Sequence, residues 1–232
     1  MSLTEEEQLD QLKSFTKKYG SAMISGILIA LIVFFGWEYW QKKNLAKAQN
    51  QTAKVQSLMD EAKTLSSQPN ALATLSETAD KIVKDDADSV QAIQTQFILA
   101  KLAYDKHDYA AAEKALQKVA NSKVKDTGLL QIVKLRLADA QLAQDKYDEA
   151  LKTLSSVTEP AFKATADELR GDIFVAKKDI AAAGKAYQSA WDDLLKRKQE
   201  RQLLQIKLES VGILVDDPEI EQPIVNTNVD ES

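Results

Sequence analysis

The run from Tyr19 to Trp37, YGSAMISGILIALIVFFGW, holds nineteen residues and no charge. As a helix rising about 1.5 Å per residue it would span roughly 28 Å, close to the ~30 Å hydrocarbon thickness of a bilayer. No other stretch of the chain has this character. A cleaved signal peptide has a shorter apolar core, about 7–15 residues, and ends in small residues. This run leads instead into Phe34, Phe35, Trp37, Tyr39 and Trp40. Such rings are too bulky for a cleavage pocket, and amphipathic ones prefer the headgroup level. A helix apolar on every side could otherwise be buried in a core, but the chain holds no second helix of that kind. The run therefore predicts one uncleaved N-terminal transmembrane helix, residues 19–40. Within it Ala22, Gly26 and Ala30 fall at i, i+4 and i+8. This membrane-helix packing stripe is where a second helix could approach closely.

The flanks predict helix on both sides. Residues 1–18 are polar, with Thr4 and Glu7 spaced as a capping box. Lys13, Lys17 and Lys18 precede the span, and Lys42, Lys43 and Lys47 follow it, so the basic flanks leave its orientation open. After the span, Leu45, Ala48, Thr52, Val55, Met59 and Ala62 recur every three or four residues. That periodicity predicts one long helix over 41–68 leading out of the membrane. Pro69 ends it, because proline disfavours helix at the residue before it. A short amphipathic helix follows, with Leu72, Leu75, Ala79, Ile82 and Val83 on one side.

Beyond it the chain repeats itself. Residues 97–119, 135–157 and 168–190 align without gaps at offsets of 38 and 33. Tyr109, Tyr147 and Ile180 correspond, as do Ala112, Ala150 and Ala183, and Leu116, Leu154 and Tyr187. Nine residues before the first set stands a small residue each time, Ala100, Ala138 and Gly171. Small residues where two helices cross, followed by apolar residues that fill the groove to the next unit, resemble a tetratricopeptide repeat. The large aromatic that usually stands near the start of the first helix is replaced by Gln96, Lys134 and Asp167. With 7 Gly and 4 Pro there is little to punctuate a sheet. The fold class expected is all-α, a single N-terminal transmembrane helix continuing into a tetratricopeptide-repeat-like array over residues 69–215.

The chemistry expected is binding rather than catalysis. There is no cysteine, so disulfides, zinc thiolates and cysteine nucleophiles are excluded. The only histidine, His107, sits in a turn between helices. Phosphate-loop, dinucleotide, serine-hydrolase and zinc-protease motifs are missing. No enzyme activity, cofactor or metal site is expected. Net charge is −5, of which residues 216–232 contribute −6, leaving the remainder at +1. A near-neutral body with an acidic, aperiodic tail argues against nucleic acid as a partner and predicts disorder over 216–232. Lys196, Arg197, Lys198 and Arg201 form a basic knot, read as a solvated helix face.

Two segments carry a closer likeness: Gly36-Trp37-Glu38-Tyr39-Trp40 at the end of the span, and Asp167-Glu168-Leu169-Arg170-Gly171-Asp172 in the third repeat. With the layout, they make the chain resemble the YfgM family, ancillary subunits of the bacterial SecYEG translocon, over residues 12–211. The resemblance implies an inner-membrane protein with residues 1–18 cytoplasmic and its repeats periplasmic. It implies as partners the SecYEG translocon, a PpiD-type membrane-anchored periplasmic chaperone, and newly exported polypeptides handed from one to the other.

The first helix of each repeat is expected to line a concave protein-binding groove. Counting back from the aligned tyrosines, that face presents Phe97, Lys101 and Tyr104, then Ile132, Leu135, Asp139 and Leu142, then Glu168, Asp172 and Val175. Two other functions are compatible with the same sequence. One is a passive assembly factor that binds only through its span and long helix. The other is a stress-response regulator acting through its cytoplasmic residues.

Overall fold

A computed structural model describes residues 5–65, 68, 70–199 and 201–215; before residue 65, side chains are described at 17, 25–47 and 49–65. Thr4, Ala22, Ala48, Pro69 and the 216–232 tail thus lie outside the described residues or side chains. The chain divides into two compact units, residues 1–54 and 55–232. All regular structure among the described residues is helical.

The first helix, α1, runs Glu5–Leu65. In the first unit its apolar side chains are uncovered: Ile29, Ile32, Val33, Phe34, Phe35 and Trp37 are all exposed. Gly26 has nothing within 4 Å of where a Cβ would stand, and Ala30 is exposed. Among the described residues no helix is long and apolar enough to cross a membrane. Of the uncharged run Tyr19–Trp37, the described side chains cover Ser25 to Trp37.

In the second unit the end of α1 supplies Leu58, with Ala62 and Leu65 partly buried, to the first core cluster. Then come α2 (Ala71–Asp85), α3 (Val90–Asp105), α4 (Tyr109–Gln117), α5 (Thr127–Leu142), α6 (Tyr147–Ser155), α7 (Lys163–Ala176), α8 (Ile180–Lys196) and α9 (Gln202–Ser210). The repeats expected from the alignment are the pairs α3/α4, α5/α6 and α7/α8, each packed on itself and on its neighbour. Three core clusters follow one another along the chain, from Leu58 to Ala140, from Leu135 to Ile173, and from Ala164 to Leu208. Such contiguity is how stacked repeats share a core that none could enclose alone.

The turns inside the repeats follow one rule. His107, Asp145 and Lys178, at the same 38 and 33 offsets, all have positive φ (58°, 59° and 63°). In each turn the next residue's amide reaches back to the first helix: Asp108 to Ala103 O, Lys146 to Gln141 O, Asp179 to Phe174 O. This is the Schellman ending of a helix, a position where glycine is the favoured residue and none is present. The same residue then starts the second helix. Asp108 and Asp179 accept the amides of Ala111 and Ala182 as N-caps. Lys146 has no capping side chain and pairs instead with Glu113 of the preceding repeat at 2.7 Å.

Inside the pairs, side-chain sizes are matched across the crossing. Ala100 and Ala138 stand where the facing positions hold Leu116 and Leu154; Gly171 stands where that position holds Tyr187. A Cβ on Gly171 would lie 2.1 Å from Tyr187 Cε1. The larger ring is therefore accommodated only because the small residue shrinks by one carbon.

Candidate protein-binding surface

The first helices α3, α5 and α7 carry the ten groove residues named from the sequence. Phe97, Lys101, Tyr104, Ile132 and Asp139 come together in a cavity of about 490 Å³ between the first two repeats. Ala100 and Leu116 contribute to its apolar lining, and Asp105 and Arg136 complete it. The Tyr104 hydroxyl donates to Asp139 Oδ2 at 3.1 Å, joining α3 to α5, and the Tyr109 ring meets Tyr104 edge-on at 4.9 Å. Burial, then the charge of Asp139 and the hydrogen bond to it, push the Tyr104 hydroxyl far above its usual range, so it stays a donor. Lys101 is committed to Asp105 at 2.7 Å.

The other five residues sit differently. Leu135 is buried and Leu142 half-buried in the core shared by the second and third repeats. Glu168 is buried, accepting from Arg201 at 2.6 Å and Lys207 at 2.9 Å. Asp172 accepts from Lys207 at 2.8 Å and from the Tyr187 hydroxyl at 2.8 Å. Val175 is 39% exposed. Thus α9 and the residue before it cover the acidic end of the array. Burial pulls the Lys207 ammonium down, but its bonds to Asp172 and Glu168 outweigh that and leave it raised. A charged group is held there by two carboxylates rather than left free for a partner.

The basic knot is half consumed in the same way. Arg197 pairs with Asp193 and donates to Ala161 O and Pro160 O, while Arg201 holds Glu168. Lys196 and Lys198 are exposed. Among the described residues no group of three or more His, Cys, Asp or Glu side chains could hold a metal ion.

Sequence reasoning missed Arg136. A signal was present: Ile98 and Leu169 occupy its place in the other repeats, so a cation there breaks the repeat's apolar pattern.

A family model described as "Tetratricopeptide repeat-like domain" matches residues 13–213. Three curated relatives share the name ancillary SecYEG translocon subunit. The one from Aggregatibacter actinomycetemcomitans is 31% identical over 211 residues, 90% of this chain and 98% of its own length. The chain belongs to the YfgM family. Its Haemophilus influenzae relative is 29% identical, with 90% of this chain and 98% of that protein aligned. The Escherichia coli K12 relative is 24% identical, with 90% and 97% aligned. No solved structure matches. The match to the tetratricopeptide repeat-like model covers all three repeats and stops short of the acidic tail.

Proposed function

We propose that this chain is a non-enzymatic, membrane-anchored protein-interaction module that associates with the SecYEG translocon. The observation that carries the reading is the shared name of relatives aligned over nearly their whole length. The repeat array supports the interaction role, because stacked helix pairs present extended surfaces to other polypeptides.

The anchor is residues 19–40, with 1–18 cytoplasmic and 41–68 leading to a periplasmic domain over 69–215 and the tail over 216–232. Its support is the uncharged run Tyr19–Trp37 together with the uncovered apolar side chains from Ile27 to Trp40. Exposed to water on every side, such a surface would be unfavourable; in lipid it is matched. On this reading the protein is a single-pass protein of the bacterial inner membrane. Ala22, Gly26 and Ala30 form the face that meets a translocon helix. The groove between the first two repeats receives emerging polypeptide, which passes to a PpiD-type chaperone.

Affinity isolation of the full chain from gently solubilised membranes tests this. The translocon's channel subunit should co-isolate, and Gly26→Leu with Ala30→Leu should reduce its yield several-fold. An isolate of the unaltered chain without translocon subunits contradicts the reading. Unchanged yield from the double variant removes the small-residue stripe from it.

A further inference from the structure

The cavity between the first two repeats has apolar walls and, among the described residues, one cation without an ion-pair partner. Phe97, Ala100, Leu116 and Ile132 supply the apolar surface. Its volume of about 490 Å³ lies within the ~300–1,000 Å³ of ordinary ligand pockets. Ile132 is 38% exposed, on a helix that buries Val133, Leu135 and Leu137. Of the four charged residues lining the cavity, Lys101 and Asp105 pair with each other, and Asp139 accepts from Tyr104. Arg136 is exposed and makes no ion pair among the described residues.

We infer that this cavity is a side-chain subsite for an extended polypeptide carrying a leucine- or phenylalanine-sized residue next to an acidic one. The inference rests on the interaction role proposed above and names the chemistry of its ligand. The apolar side chain enters between Phe97 and Ile132, and the neighbouring carboxylate meets the Arg136 guanidinium, whose fork suits a carboxylate. A single carboxylate fits better than a phosphate, because Asp105 and Asp139 in the same wall would repel a dianion more strongly. A basic neighbour would face Arg136 directly and is disfavoured.

Fluorescence anisotropy on the full chain in lipid nanodiscs tests the subsite. The probes are three labelled nine-residue peptides of Gly and Ser with a central Phe, flanked by Glu, Gln or Lys. At low salt the Glu peptide should bind roughly fivefold tighter than the Gln peptide, with the Lys peptide weakest. Arg136→Glu should reverse that order, and Ile132→Asp should abolish binding of all three. Equal affinity for the three peptides, an order that Arg136→Glu leaves unchanged, or no binding by any peptide overturns the inference. Any of these with the translocon still co-isolating sinks the subsite and leaves the proposed function standing. Loss of the translocon from the unaltered chain sinks the function itself.

Discussion

Two residues show how closely the packing of this chain is specified. Gly171 and Tyr187 occupy places held by alanine and leucine in the other repeats, and the glycine's missing Cβ is where the ring lies. Gly171→Ala should therefore cost about 2 kcal/mol in a urea titration through overpacking. In a Tyr187→Leu background the same change should be neutral or stabilising, since alanine is the better helix former. Destabilisation of equal size in both backgrounds would mean the ring is not the obstacle. Gln96 poses the opposite problem. It is fully buried and neither its Oε1 nor its Nε2 finds a partner, whereas Lys134 and Asp167, its counterparts, reach Ser156 O and Lys163. Gln96→Leu should raise stability by about 1 kcal/mol, because an orphaned buried amide is costly. Glu113 links stability to pH. Burial raises its pKa, but hydrogen bonds from Lys146, Gln144 and Gln141 outweigh that and leave it lowered. A lowered folded pKa gives stability that is full above the unfolded value, about 4.3, and lost as pH falls through the folded one. Unfolding curves between pH 6 and pH 3 should show this loss, and Glu113→Gln should flatten it.

At the scale of elements, the repeats were legible because internal offsets of 38 and 33 keep the small residues at the helix crossings in register across three helix pairs. The turn at His107 was legible but the backbone of the repeat turns was not, because their residues at positive φ are His107, Asp145 and Lys178 rather than glycine. Only the register shared by the three reveals that they are one motif. Glycine avoids the steric cost of that conformation at the expense of some chain entropy. Lys178→Gly, at an exposed position, should therefore stabilise the domain by about 1 kcal/mol in thermal or urea unfolding; destabilisation would contradict the turn geometry. The meeting of side chains in one cavity was legible where both walls come from helices matched by the alignment, as with Phe97 and Ile132. It was not legible at Glu168 and Asp172. Their partners Arg201 and Lys207 lie more than thirty residues away in a segment with no repeat counterpart, so no periodicity links them. The cap α9 turns two candidate binding residues into internal ion pairs.

At the scale of the whole molecule, an apolar helix and a near-neutral repeat array sit in separate units. In the function proposed above, that division joins membrane attachment by one unit to polypeptide binding by the other. Attachment has its own check. The full chain should remain in membranes through alkaline extraction, and Ile29→Lys with Ile32→Lys should release it, since each lysine near a helix centre costs about 3 kcal/mol of insertion. Release of the unaltered chain would remove the anchor.

Partner identity is tested most directly by photo-crosslinking in intact membranes, with a photoreactive residue placed singly at Ala30 and at Ile132. Expected are adducts to the translocon's channel subunit from Ala30, and to a translocating polypeptide or its chaperone from Ile132. Adducts from Ala30 alone would make the repeats a spacer, and no translocon adduct from either position would contradict association with the channel.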